Sequence, residues 1–198
     1  MHCIGDRAVG VALAALARGG IPPGMRPRLE HCEFFGEGDL ERLVTQGAVA
    51  SCQPNFLGQW GGPGQLYEQR LGTERSRSGN PYRHLADSGG ALAFGSDHMP
   101  FGPRYGLHWA VNAHHAAQRL APAEALAAYT VGAAFAGFEE DRRGTLEPGM
   151  AADVAVLSVD PRSHPQRISE LGVELTMAGG RVVHDPAGLA GPPREAEG

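Results

Sequence analysis

Three ionisable side chains, His2, His31 and Asp97, each read as standing at or just past the C-terminal end of a strand and just before a loop. His2 and His31 are 29 positions apart, and His31 and Asp97 are 66 apart. One strand-helix unit of an eight-fold α/β barrel takes about 31 residues, so the first gap is one unit and the second is two units with a long loop. The spacing therefore predicts that all three side chains reach one rim, the C-terminal edge of a parallel sheet, where such barrels carry their active sites. Two imidazoles and a carboxylate form a hydrolytic zinc set, because Zn²⁺ accepts nitrogen and oxygen donors and keeps a fourth position for water. That water titrates near neutral pH, which yields hydroxide without a side-chain nucleophile. Asp97 then has two roles, as a metal ligand and as the base that passes the proton to a leaving nitrogen. Gln53 and His98, at the ends of neighbouring runs, are assigned to substrate contact. Each residue alone has a plainer role: His2 as a loose terminal residue, His31 as a hydrogen-bonded surface histidine, Asp97 as a turn cap. The regular spacing favours the joint reading.

Other candidates carry less. His108 and His115 are seven apart on one helical face with Trp109 and Val111, which fits packing, and His114 is expected in solvent. Cys52 sits inside an apolar run with no base nearby and reads as an inert buried thiol. Arg70, Arg75, Arg77 and Arg83 read as a solvated loop set. Gly61-Gly62-Pro63-Gly64 neither follows a strand nor opens a helix, so it is not a phosphate or dinucleotide loop. All 17 basic residues are Arg. The absence of Lys excludes a Schiff base, a pyridoxal anchor, a phosphate-loop lysine and a lysine carbamate within this chain. A formal charge of -5 with scattered arginines gives no nucleic-acid footprint, and no apolar run reaches the roughly 20 residues of a membrane span. Three cysteines without a C-x-x-C pair, and no signal-peptide pattern, fit free thiols in a cytoplasmic protein.

The elements that must position these residues alternate. Residues 6–19 read as a helix with Asp6 as its cap and Gly19-Gly20 as its stop. A strand follows at 26–31, a helix from Asp39 to Gly47, and a buried strand at 48–53. Residues 54–80 show neither period and read as a long loop over a binding face. A helix at 81–88, an apolar strand at 91–94 and two helices over 106–138 parted near Pro122 complete an α/β pattern, which predicts a parallel sheet with right-handed crossovers. Beyond it, strands at 152–157 and 174–177 and a tight hairpin at Gly179-Gly180 form a small β appendage. The segment from Pro186 onward is expected to fray.

The motifs His2-Cys3-Ile4-Gly5-Asp6-Arg7-Ala8, Arg28-Leu29-Glu30-His31 and Gly95-Ser96-Asp97, in that order, resemble the amidohydrolase superfamily. Within it they are closest to the amidohydrolase 3 branch that contains N-substituted formamide deformylase. Tyr129 to Ala134 and Gly144 to Asp153 match the way that branch leaves its barrel and re-enters its small β domain. The resemblance covers the chain to about Asp185. It implies the C-terminal half of a metal-dependent hydrolase (β/α)8 barrel, strands five to eight, over residues 1–140. It further implies part of a composite β-sandwich over 141–185 and a flexible tail over 186–198. It makes His2 and His31 the metal-binding histidines after strands five and six, and Asp97 the catalytic aspartate after strand eight. The implied reaction is hydrolysis of amide or other non-peptide C-N bonds of a small molecule, with one or two divalent ions, usually zinc. The family's His-x-His pair after strand one and its ligand near strand four have no counterpart, so the chain reads as a fragment. It is expected to expose a sheet edge and an apolar inner face, to form a homo-oligomer or to be completed by an N-terminal chain, and otherwise to be a non-catalytic remnant.

Overall fold

The computed structural model describes residues 1–22, 24–98 and 100–191. Of the expected tail, residues 192–198 lie outside the described residues. Before them, the Asp185 carboxylate accepts the Leu189 and Ala190 amides at 2.8 and 2.9 Å and holds a turn.

The first unit alternates strand and helix. β1 (His2–Cys3) leads to α1 (Asp6–Gly19), whose Val9, Ala12, Leu13 and Leu16 recur at helical spacing and are buried. Gly20, left-handed at φ 59°, stops the helix. The N-cap is Gly5 and not Asp6: Asp6 is the first helical residue, where its charge suits the positive end of the helix dipole and pairs with Arg75 at 2.8 Å. β2 (Arg28–His31), α2 (Asp39–Thr45) and β3 (Val49–Cys52) follow.

The expected long loop over 54–80 is instead three short helices, α3 (Pro54–Trp60), α4 (Leu66–Leu71) and α5 (Thr73–Ser78). None exceeds seven residues, too short for a period to appear in the sequence, and tertiary packing stabilises them. α6 (Tyr82–Asp87), β4 (Ala91–Phe94) and α7 (Pro103–Val111) come next. The span expected to hold two helices holds α7, a 3-10 turn at Ala116–Gln118, α8 (Pro122–Tyr129) and α9 (Val131–Ala136), with non-helical Thr130 between the last two.

The four strands form one parallel sheet in the order β1-β2-β3-β4, so the protein is α/β. Pairing sets His2 beside Glu30 and Ser51 beside Glu30, while Cys3 lies beside His31 and Cys52 beside Phe94. One face, with Cys3, Leu29, Ala50, Cys52 and Phe94, is buried under α1, α2, α3, α6 and α7 through residues such as Leu13, Leu43, Leu57, Leu85 and Leu107. The other face is mixed, with the apolar Val49, Ala91 and Ala93 beside polar residues, and Val49 and Ala93 are buried. Arg28 is exposed there, Glu30 and Ser51 are half-buried, and Arg28 Nε pairs with Glu30 at 2.5 Å.

At the opposite end from the C-terminal rim, Arg26 and Arg28 donate to the last carbonyls of α9, Phe135 and Ala136, at 3.0 and 3.4 Å. Cations at a helix C-terminus satisfy its free carbonyls and its dipole.

β5 (Val154–Leu157), β6 (Val173–Ala178) and β7 (Arg181–His184) form a second, antiparallel sheet. Gly179 and Gly180, at φ 55° and 78°, make the β6-β7 hairpin turn. The appendage is a single layer among the described residues. It is tied to the first unit through the 3-10 turn Pro165–Glu170: Ile168 and Leu171 enter the main core, and Arg104 donates to the Leu171 carbonyl at 2.8 Å. Among the described residues no helix is long and apolar enough to cross a membrane.

Candidate active site

β1 and β2 bring His2 and His31 to the same rim of the sheet. Strict strand alternation would send His31 to the covered face with Leu29. The backbone departs from the strand path at that point: His31 and Cys32 are both left-handed, at φ 78° and 51°. Non-glycine residues rarely adopt this conformation, and each costs on the order of 1–3 kcal/mol. The kink accompanies a ring position 4.5 Å from His2, edge to face at 72°. His2 is exposed and His31 is buried.

Behind the pair, Gln53 follows β3 and is buried. Its Oε1 lies 2.8 Å from His31 Nδ1, and its Nε2 donates to the Ser51 carbonyl at 3.2 Å. The Gln53 amide, expected to touch substrate, is thus engaged at both ends. Phe56 in the first turn of α3 stacks on the His31 ring at 5.8 Å, and Trp60 stacks on Phe56 at 5.0 Å.

Asp97 follows β4 and is, like His31, Cys32, Arg26, Asn80 and Phe138, a left-handed non-glycine residue, at φ 53°. Its Oδ1 lies 3.0 Å from Nδ1 of the exposed His98. Among the described residues no group of three His, Cys, Asp or Glu side chains lies close enough to hold a metal ion. The fold therefore joins His2 with His31, and it sets Asp97 beyond the same sheet edge, past β4, outside that contact.

Two features were not legible in the sequence. Asn55, fully buried in α3, donates to the Pro100 and Gly102 carbonyls at 2.7 and 3.4 Å and so ties the loop that carries Asp97 to the β3 edge. The Tyr129 hydroxyl donates to its Oδ1 at 3.4 Å. A Gln-Pro-Asn triplet only marks a helix start, and its partners lie 45 and 47 residues away. The second feature is Glu33, a buried carboxyl that accepts the Tyr67 hydroxyl. Burial pushes Glu33 above the usual carboxylate range, against the lowering effect of the Tyr67 hydrogen bond. Burial likewise raises Tyr67, with the Glu33 charge adding to it.

Cys52 is buried as expected, and its thiol is held well above its ordinary value by Cys32 and by burial. His114 departs from its expected place in solvent. Its ring packs 4.7 Å from Trp109, its Nε2 is buried without a partner, and burial lowers its pKa. Two surface grooves, of about 430 and 520 Å³, lie elsewhere, one beside Ile21 and Gln46 and one between α8, α9 and β5.

The sequence profile described as "Amidohydrolase family" matches residues 1–184. The amidohydrolase YtcJ of Bacillus subtilis is 28% identical over 201 residues, covering 93% of this chain and 37% of its own length. Imidazolonepropionase of Symbiobacterium thermophilum is 30% identical over 161 residues, covering 79% of this chain and 34% of its own. A solved metal-dependent hydrolase from Pyrococcus furiosus superposes with a TM-score of 0.66 at 30% identity, over 76% of this chain and 31% of that one. The chain thus spans about a third of the length of these relatives.

Proposed function

The chain belongs to the amidohydrolase family, and from that membership we propose that it serves hydrolysis of an amide or other non-peptide C-N bond in a small-molecule substrate. The contact between the His2 and His31 rings at the C-terminal rim carries this reading. Strained backbone at His31, Cys32 and Asp97 supports it, because strain of this kind collects at functional sites. Residues 1–140 are read as four strand-helix units of a barrel, 141–185 as part of a second unit, and the location as cytoplasmic.

Two imidazoles edge to face suit two of the nitrogen positions of a divalent ion, which His2 and His31 would hold, while Asp97, past β4 and outside that contact, serves as the base. One or two ions, zinc first, would supply Lewis acidity and a nucleophile at neutral pH when bound. Asp97 takes the proton from the attacking water and returns it to the leaving nitrogen, so charge never builds up on the departing amine. His98, hydrogen-bonded to Asp97 and otherwise in solvent, touches the substrate from the outer side. Phe56 stacks on His31 and shields that side of the pair from water.

A second reading is a subunit whose sheet is completed by another chain, which the place of β1 at one edge of the sheet, paired among the described residues with β2 alone, favours. The test is turnover of a panel of small N-substituted amides by the zinc-supplemented chain. Asp97→Asn is expected to lower turnover about 10²- to 10⁴-fold at unchanged zinc content. An unchanged rate removes Asp97 from the mechanism. Turnover that appears only after a complementing chain is added supports the second reading.

A further inference from the structure

We propose that Gln53 is a positioning residue that locks His31 in the tautomer protonated at Nδ1, leaving Nε2 as the free donor atom of the ring. Hydrogen-bond polarity fixes the tautomer. The Ser51 carbonyl can only accept, so the Gln53 atom facing it at 3.2 Å is the NH₂ group. The opposite atom, Oε1, is then the one that faces His31 Nδ1 at 2.8 Å, and an amide oxygen can only accept. The hydrogen between them must come from the imidazole. A neutral imidazole that carries its proton on Nδ1 presents a lone pair at Nε2.

The lock is stiff for three reasons. Gln53 is buried, so rotating its amide would leave a donor or an acceptor unpaired inside the protein. Its main chain is fixed where β3 turns into α3: Pro54 holds the first helical position, and the Phe56 amide donates to the Gln53 carbonyl at 3.1 Å. The His31 ring makes no other hydrogen bond among the described residues, and Phe56 restrains its face. Three backbone and side-chain features, spaced over residues 31 to 56, thus fix a single proton.

This inference deepens the metal-site reading, but its main readout needs no metal. In the chain labelled with ¹⁵N-histidine, long-range ¹H-¹⁵N correlation spectra report the tautomer of each ring, and His31 is identified by its through-space contacts to Phe56. The wild-type ring is expected as the Nδ1-H form at a pH where neutral imidazole predominates. Gln53→Met, which keeps the length but removes the acceptor, is expected to release it to the mixture of a free imidazole.

Zn²⁺ affinity, measured by competition with a chromophoric chelator, is expected to fall about 10- to 100-fold in Gln53→Met. A wild-type His31 in the Nε2-H form overturns the proposal without any variant, as does a tautomer that Gln53→Met leaves unmoved in a folded chain. Should Gln53→Met fail to fold, Gln53→Asn, whose shorter amide cannot span the gap, replaces it. A locked Nδ1-H ring in a chain that does not bind Zn²⁺ upholds the role of Gln53 and defeats the metal reading alone.

Discussion

Residue-level chemistry here depends on what burial does to individual groups. Glu33 is neutral more readily in the folded chain than in the unfolded one, because burial raises its pKa. The folded state therefore holds the proton more tightly. The stability this gives is present below the ordinary carboxylate value of about 4.3 and is lost as pH rises through the raised value. Glu33→Gln, which still accepts the Tyr67 hydroxyl, should gain in urea midpoint relative to wild type between about pH 4 and pH 8. A relative loss with rising pH would contradict the assigned direction. Asp97→Asn is a clean probe of chemistry for a backbone reason: asparagine tolerates the left-handed φ of 53° as readily as aspartate, so lost turnover cannot be blamed on a displaced loop. The spacing anticipated the meeting of His2 and His31 at one rim, but not the place of Asp97, which lies outside their contact. The left-handed backbone at His31, Cys32 and Asp97 left no mark either, since nothing in Glu30-His31-Cys32 announces two consecutive left-handed residues. The bond from Gln53 to His31 crosses 22 positions and likewise leaves no local mark.

Element packing beside the rim is set by one small residue. A Cβ on Gly58 of α3 would lie 2.1 Å from Trp109 Cδ1 of α7, and the Trp109 ring is backed by His114 at 4.7 Å. The indole has little room to yield. Gly58→Ala should cost about 1–3 kcal/mol in chemical denaturation, the usual penalty of overpacking; a neutral outcome would mean that α3 and α7 slide freely. Strands were the most readable elements: 91–94 coincides with β4, and 26–31 and 48–53 contain β2 and β3. The apolar run of β4, without alternation, follows directly from burial in a parallel sheet, whereas β2 alternates Arg28 and Glu30 with the buried Leu29 and His31. The helices between 54 and 80 were opaque because Gln59, Gln69, Arg70, Arg75 and Arg77 sit on their outer faces and their few apolar anchors, Phe56, Leu57 and Tyr67, face partners far along the chain.

At the scale of the whole molecule, the division expected near residue 140 does not separate two independent cores. Ile168, fully buried, and Leu171 lie between β5 and β6 in sequence, yet they join the core under the parallel sheet. Ile168→Ala should therefore lower the stability of both sheets together, by about 2–5 kcal/mol. A thermal scan should keep one transition; two separated transitions would show that the antiparallel sheet melts by itself. The row of sulfhydryls at Cys3, Cys32 and Cys52 gives the fold a built-in gauge, since all three are shut between sheet and helices. Native protein should resist an alkylating reagent at every one of them. The order in which mass spectrometry finds them modified under mild urea then records which seam of the layer parts first.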